Sequence, residues 1–66
     1  MKIWLNGEQT DIDSDATLAR LAQQQGLGEA RYAIEVNEEI VPRSEHPTHT
    51  LKPGDKVEIV TAIGGG

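Results

Sequence analysis

Apolar and polar residues alternate at both ends of this chain, and a helical spacing lies between them, bounded by turn residues. Met1, Ile3 and Leu5 alternate with Lys2, Trp4 and Asn6, the period of a half-buried strand. Asn6-Gly7 follows at once, and a type I′ hairpin turn needs positive φ at both of its central positions. Glu8 to Asp13 is then the returning strand, with Thr10 and Ile12 toward the core and Asp11 and Asp13 toward water. Its carboxylates suit an edge strand, where they oppose pairing with other chains. Asp15 or Thr17 caps a helix whose Leu18, Leu21, Ala22 and Gln25 fall on one stripe. Gly26 ends it as the left-handed residue after the C-cap, and Leu27 is placed for the accompanying apolar contact.

Beyond the helix, Tyr32, Ile34 and Val36 alternate with Ala33, Glu35 and Asn37 as a third strand. Asn37-Glu38-Glu39 reads as a tight turn, and Ile40-Val41 as a short fourth strand stopped by Pro42. Arg43 to Leu51 has no clean period and reads as loop with a 3₁₀ turn. Lys52-Pro53-Gly54-Asp55 fits a type II turn. Val57, Ile59, Thr61 and Ile63 form the core-facing row of the last strand, with Glu58, Val60 and Ala62 on its other face. The first and last strands are the most apolar and belong side by side in mid-sheet, which a crossover through the helix permits. The expected fold is α+β: a mixed four- or five-stranded sheet packed on one helix, the ubiquitin-like β-grasp. It occupies residues 1–63, followed by a flexible glycine tail at 64–66.

Composition narrows the function. Sixty-six residues make one small domain, and the absence of cysteine removes disulfides, thiolate metal sites and a cysteine nucleophile. Eleven acidic against six basic residues give a net charge of −5, unsuited to nucleic acid or an anionic membrane. No apolar run approaches the ~20 residues of a membrane span, and no signal-peptide pattern opens the chain. The expected location is cytoplasmic.

Candidate chemistry is sparse. His46 and His49 with Glu45 offer three metal-binding side chains, but two histidines without further well-spaced donors make no tetrahedral site. They are expected to be solvated. Asp11, Asp13 and Asp15 alternate, yet the glycine and bidentate glutamate of a calcium loop are missing. Ser14 has no histidine near it in sequence, and Glu38-Glu39 reads as a charged turn. No metal, cofactor or catalytic set is expected. Trp4 differs: alternation sets it on the face opposite Ile3 and Leu5, where it joins Val60 and Ala62 in an exposed apolar patch for a partner. The tail Gly64-Gly65-Gly66 offers an arm without Cβ atoms that presents the carboxyl carbon of Gly66 inside a narrow channel.

Met1-Lys2-Ile3-Trp4-Leu5-Asn6-Gly7, Val36-Asn37-Glu38-Glu39-Ile40-Val41-Pro42-Arg43, Pro53-Gly54-Asp55 and Gly65-Gly66 together resemble the ThiS family of sulfur carriers (MoaD/ThiS superfamily). These are ubiquitin-like proteins of thiamine biosynthesis that end in two glycines. The resemblance covers essentially the whole chain, and Val36 to Arg43 is its most specific stretch. Gly64 stands where alanine is also familiar in the family. The resemblance implies that a ThiF-like adenylyltransferase, using ATP, adenylates Gly66 while Gly64, Gly65 and Gly66 occupy its channel. A sulfur donor protein then leads to a thiocarboxylate, and thiazole synthase (ThiG) takes the sulfur. The carrier itself is not an enzyme and binds no cofactor. Ile63, beside the tail, and Arg43, at the end of the specific stretch, join Trp4, Val60 and Ala62 as partner-binding candidates. An independent physical reason supports activation: a carboxylate with a pKa near ~3.5 is ionised at pH 7 and unreactive until adenylated. Two alternatives remain. One is the carrier subunit of molybdopterin synthase, a family usually longer and richer in phenylalanine, which this chain lacks. The other is a β-grasp interaction module without carrier chemistry.

Overall fold

A computed structural model describes residues 1–28 and 30–61. Strands β1 (Lys2–Leu5) and β2 (Glu8–Asp11) form the opening hairpin, followed by helix α1 (Leu18–Gln24). Strands β3 (Tyr32–Val36) and β4 (Glu39–Val41), a 3₁₀ turn over Arg43–Glu45 and strand β5 (Lys56–Thr61) complete the order. The sheet runs β2-β1-β5-β3-β4. Among these strands β5 lies in the centre, parallel to β1 and antiparallel to β3. This is the expected β-grasp.

Local chemistry explains each corner. Asn6 and Gly7 have φ of 50° and 85°, the type I′ geometry whose twist matches the flanking strands. The second hairpin repeats it with Asn37 at 53° and Glu38 at 72°, so a glutamate sits where glycine is preferred. Thr17 caps the helix, its Oγ1 accepting from the Arg20 N–H at 3.2 Å. At the other end Gly26 (φ 75°) donates to the Gln23 carbonyl and Leu27 to that of Ala22. That pair of bonds is a Schellman motif. In the proline turn, Gly54 has a φ of 84° and the Asp55 N–H donates to the Lys52 carbonyl at 3.1 Å.

The core lies between the sheet and α1. Ile3, Leu18, Leu21, Ile34, Leu51 and Val57 are fully buried, one or more from each of β1, α1, β3 and β5. Gln25 departs from the expected stripe: as the C-cap it is exposed, because the helix has already ended. Thr61 is exposed for a related reason, standing with Gln25 and Leu27 past the end of α1.

His46 is a correction. The lack of periodicity pointed to a solvated loop side chain, but His46 is 2% exposed. Its Nε2 lies 3.0 Å from the Val41 carbonyl, and its ring stacks on Tyr32 with centroids 5.8 Å apart. The loop is pinned by the start of the helix, whose unpaired N–H groups need acceptors. Leu18 donates to the His49 carbonyl and Ala19 to that of His46. A bridge between Thr17 and Thr50 and a bond from Leu51 N–H to the Ala16 carbonyl close the seam. Thus the loop's backbone caps the helix and turns one imidazole into the core.

Candidate functional site

Two surfaces bear on the expected chemistry: the outer face of the sheet, and the end of β5 from which the chain continues. On the outer face, Trp4 is 45% exposed, Val60 62% and Ile40 70%. The expected patch of Trp4, Val60 and Ala62 requires correction in its geometry. Parallel register sets Trp4 opposite Lys56 of β5 and antiparallel register sets it opposite Gln9 of β2. Val60 lies four residues farther along β5, roughly 13 Å at the usual strand rise, with Glu58 between. Its lateral neighbour is Ala33. Trp4 and Val60 therefore share a face without touching, because alternation fixes the face of a residue and register fixes its height. Ala62 and Ile63 lie outside the described residues, as do Gly64, Gly65 and Gly66.

Ile40 is the exposed apolar residue that the sequence reading did not single out. It stands opposite Glu35, which in turn stands opposite Glu58. Alternation within Glu39–Val41 holds the signal: with Val41 buried, Ile40 must point outward. The face thus has apolar points at Trp4, at Val60 with Ala33, and at Ile40, separated by the carboxylates of Glu35 and Glu58.

Arg43 is drawn into contacts of its own domain. Its guanidinium lies 4.0 Å from the Tyr32 ring centroid and donates to the carbonyls of Ala30 (3.2 Å) and Gly28 (3.4 Å). A planar fork of donors on an aromatic face suits this use, and it ties the loop after the helix to the start of the 3₁₀ turn.

Two of the three acidic residues considered for cations, Asp11 and Asp13, are taken up locally. Asp11 accepts from Lys2 Nζ at 3.0 Å, and Asp13 pairs with Arg20 at 3.9 Å. The Lys2 hydrogen bond, then the Lys2 charge, hold the Asp11 carboxyl below its ordinary value of 3.8. Among the described residues no group of three or more metal-binding side chains converges. None of the helices described there is long and apolar enough to cross a membrane.

At the end of β5 the neighbours are Tyr32, opposite Thr61 across the β3 ladder, and a notch lined by Leu5, Asn6, Gln25, Leu27, Ile59 and Thr61. Asn6 fixes this corner. Its backbone N–H donates to the Val57 carbonyl at 2.9 Å, and its Oδ1 accepts from the Ile59 N–H at 2.8 Å. One turn residue thereby holds β5 on both sides of Glu58.

Residues 3–66 match the model of the ThiS family. The sulfur carrier protein ThiS of Thermus thermophilus is 34% identical over 64 residues, which are 97% of this chain and 98% of that protein. A thiazole synthase of Paramagnetospirillum magneticum is 39% identical over 66 residues, all of this chain but 20% of that protein. The chain likewise spans 20% of a thiazole synthase of Magnetococcus marinus, so it covers about a fifth of the first curated relatives it matches. The crystal structure of a thiamine biosynthesis protein (ThiS) from Geobacter metallireducens superposes with a TM-score of 0.83 at 28% identity, each chain covered completely. With the family model spanning all but the first two residues, the chain belongs to the ThiS family.

Proposed function

We propose that this chain is a sulfur carrier that supplies the thiazole ring of thiamine. The observation that carries the reading is its end-to-end match with the Thermus thermophilus sulfur carrier protein. A small, cysteine-free β-grasp body acts as a handle, and the reacting group is the carboxyl of Gly66. The carboxylate oxygen attacks the α-phosphorus of ATP in a ThiF-like adenylyltransferase, forming the acyl-adenylate and releasing pyrophosphate. Hydrosulfide delivered by a donor protein then attacks the acyl carbon, the bond from that carbon to the AMP oxygen breaks, and the carrier leaves as a thiocarboxylate with AMP released. The glycines matter because a channel that excludes water around the acyl-adenylate admits backbone and little else.

Thiazole synthase is the sulfur acceptor in this proposal. Its support is that two proteins named thiazole synthase each contain a stretch resembling this whole chain. In this proposal the carrier's one reacting group is the Gly66 carboxylate, which is itself transformed, so the carrier acts as a protein substrate and not as an enzyme.

The test is intact mass after incubation with ATP, a sulfide source and the adenylyltransferase. The expected product has one oxygen replaced by one sulfur, located at Gly66 by fragmentation. An unchanged mass with an adenylyltransferase active on another carrier overturns the reading and returns the chain to the class of β-grasp interaction modules. Conversion by an adenylyltransferase of molybdopterin biosynthesis alone reassigns the pathway.

A further inference from the structure

Strand β5 is longer than the strand beside it. On its β3 side every residue from Val57 to Thr61 has a partner, but β1 reaches only Lys56 and Val57. The hydrogen bonds fix which groups point where. Trp4 N–H donates to the Asp55 carbonyl, Asn6 N–H to that of Val57, and Ile59 N–H to Asn6 Oδ1. Odd-numbered peptide groups of β5 therefore face the β1 side.

Opposite Lys56 stands Trp4, and opposite Glu58 stands Asn6, whose side chain replaces the backbone acceptor that the turn has carried away. The next position in this series, opposite Val60, has no occupant among the described residues. There the Ile59 C=O and the Thr61 N–H point outward with the spacing that one residue of an adjacent strand satisfies. Beside them lies the notch of about 190 Å³ whose apolar walls are Leu5, Leu27 and Ile59. The hairpin turn at Asn6-Gly7 directs β1 away, so among the described residues no strand runs beside this stretch of the central strand.

We propose that the open edge of β5 at Ile59–Thr61 is a docking edge for an extended segment of the activating enzyme. That segment adds to the sheet as a strand in line with β1, donating to Ile59 C=O and accepting from Thr61 N–H. A neighbouring aliphatic side chain of the segment enters the notch against Leu27. One residue of an extended backbone matches both the donor and the acceptor at once, and an added strand, the β-augmentation mode, is the occupant. Thr61 immediately precedes residues 62–66 in the chain, so an enzyme that reacts with Gly66 has this edge within a few residues of its target. This inference rests on the carrier reading above and adds the surface by which the partner holds the base of the arm.

Amide exchange of the ¹⁵N-labelled protein, alone and with unlabelled adenylyltransferase and ATP, tests it. The Thr61 amide should exchange freely alone and slow by about tenfold or more in the complex. Replacing Thr61 by its α-hydroxy acid counterpart removes that N–H donor and leaves an ester carbonyl at Val60, a weaker acceptor on the β3 side. It should weaken the complex about 2- to 12-fold, one net hydrogen bond of ~0.5–1.5 kcal/mol. The melting temperature should fall by a few degrees at most, from the weakened Val60 carbonyl alone, and the loss of binding should be present well below it, where the variant is fully folded. If the complex forms and Gly66 is adenylated while Thr61 stays unprotected and the ester variant binds as well, the docking edge is wrong and the carrier reading stands. Absence of any complex overturns both.

Discussion

The guanidinium of Arg43 lies 4.0 Å from the centre of the Tyr32 ring, and the same ring stacks on buried His46. Arg43 thus works as a clasp between the loop after the helix and the 3₁₀ turn. Arg43→Ala should cost about 1–2 kcal/mol, from an exposed cation–π contact of ~0.5–1 kcal/mol and the bonds to the Ala30 and Gly28 carbonyls. Arg43→Lys should recover less than half, because an ammonium cannot lie flat on the ring while bonding two carbonyls. Urea denaturation of the three proteins decides it; equal midpoints would leave Arg43 free for a partner.

Glu38 occupies a left-handed position with a φ of 72°, a conformation that costs a residue with a Cβ about 1–2 kcal/mol. Glycine there removes that strain but adds disorder to the unfolded chain. Glu38→Gly should therefore stabilise the domain by roughly 0.5–1 kcal/mol and raise its melting temperature. A lower melting temperature would mean that the Glu38 carboxylate makes a compensating contact.

The Asp11 carboxyl is held below 3.8, first by its hydrogen bond from Lys2 and next by the Lys2 charge. A depressed carboxyl favours the folded state above its unfolded value, and that contribution is lost as pH falls through the folded value. In Lys2→Gln the Asp11 titration midpoint, followed by NMR, should rise toward 3.8. The difference in stability between the two proteins should disappear at pH below the folded midpoint. An unmoved midpoint would assign the shift to the Met1 ammonium, 3.6 Å from the other carboxylate oxygen.

Trp4 presents an aromatic ring among Gln9 and Lys56, apart from Val60. As an isolated exposed anchor it should matter more to a partner than to the fold. Trp4→Ala should weaken binding to the adenylyltransferase or thiazole synthase by at least ~2 kcal/mol, while folding stability falls by less than ~1 kcal/mol. Val60→Ala, on a separate point of the face, should add to it independently. Normal binding by a destabilised Trp4→Ala protein would make Trp4 a structural residue.

Extended chain advances about 3.3–3.6 Å per residue, so three residues of any sequence span at most roughly 10 Å, and the proposed channel need be no deeper for Gly64 to Gly66. A channel that admits only backbone is narrowest at the reacting carbon. ATP–pyrophosphate exchange should fall sharply for Gly66→Ala and Gly65→Ala and stay near normal for Gly64→Ala, with unchanged melting in all three. Equal exchange for the three variants would make the glycines a passive tail.

Turn chemistry and alternation made most of the fold legible, because these signals are local. Asn6-Gly7, Gly26 and Pro53-Gly54 each announce a backbone geometry that few residues tolerate, and the strands alternate between them. What escaped depended on distance. His46 is buried because helix N–H groups nearly thirty positions earlier in the chain need its backbone carbonyl, a demand no sequence window around His46 contains. The spacing of Trp4 from Val60 depends on register between strands more than fifty residues apart, which alternation leaves undetermined. Arg43 was noticed for its place in a family-like stretch, and its contact with Tyr32 had no local sign.

The placement of β5 between β1 and β3 has a consequence for the order of events in biosynthesis. The bond from Ile59 to Asn6 spans 53 residues, and closing a loop of that length costs about 3.5 kcal/mol in chain entropy plus a constant. The two hairpins cannot become one sheet until β5 has been made, since β1 and β3 meet only through it. A chain interrupted during synthesis before residue 56 therefore has no completed body and no arm. On the proposed carrier function, the strand that completes the sheet is also the one that precedes Gly66 in the chain, so the closed body and the residue that is to react become available in the same stretch of synthesis.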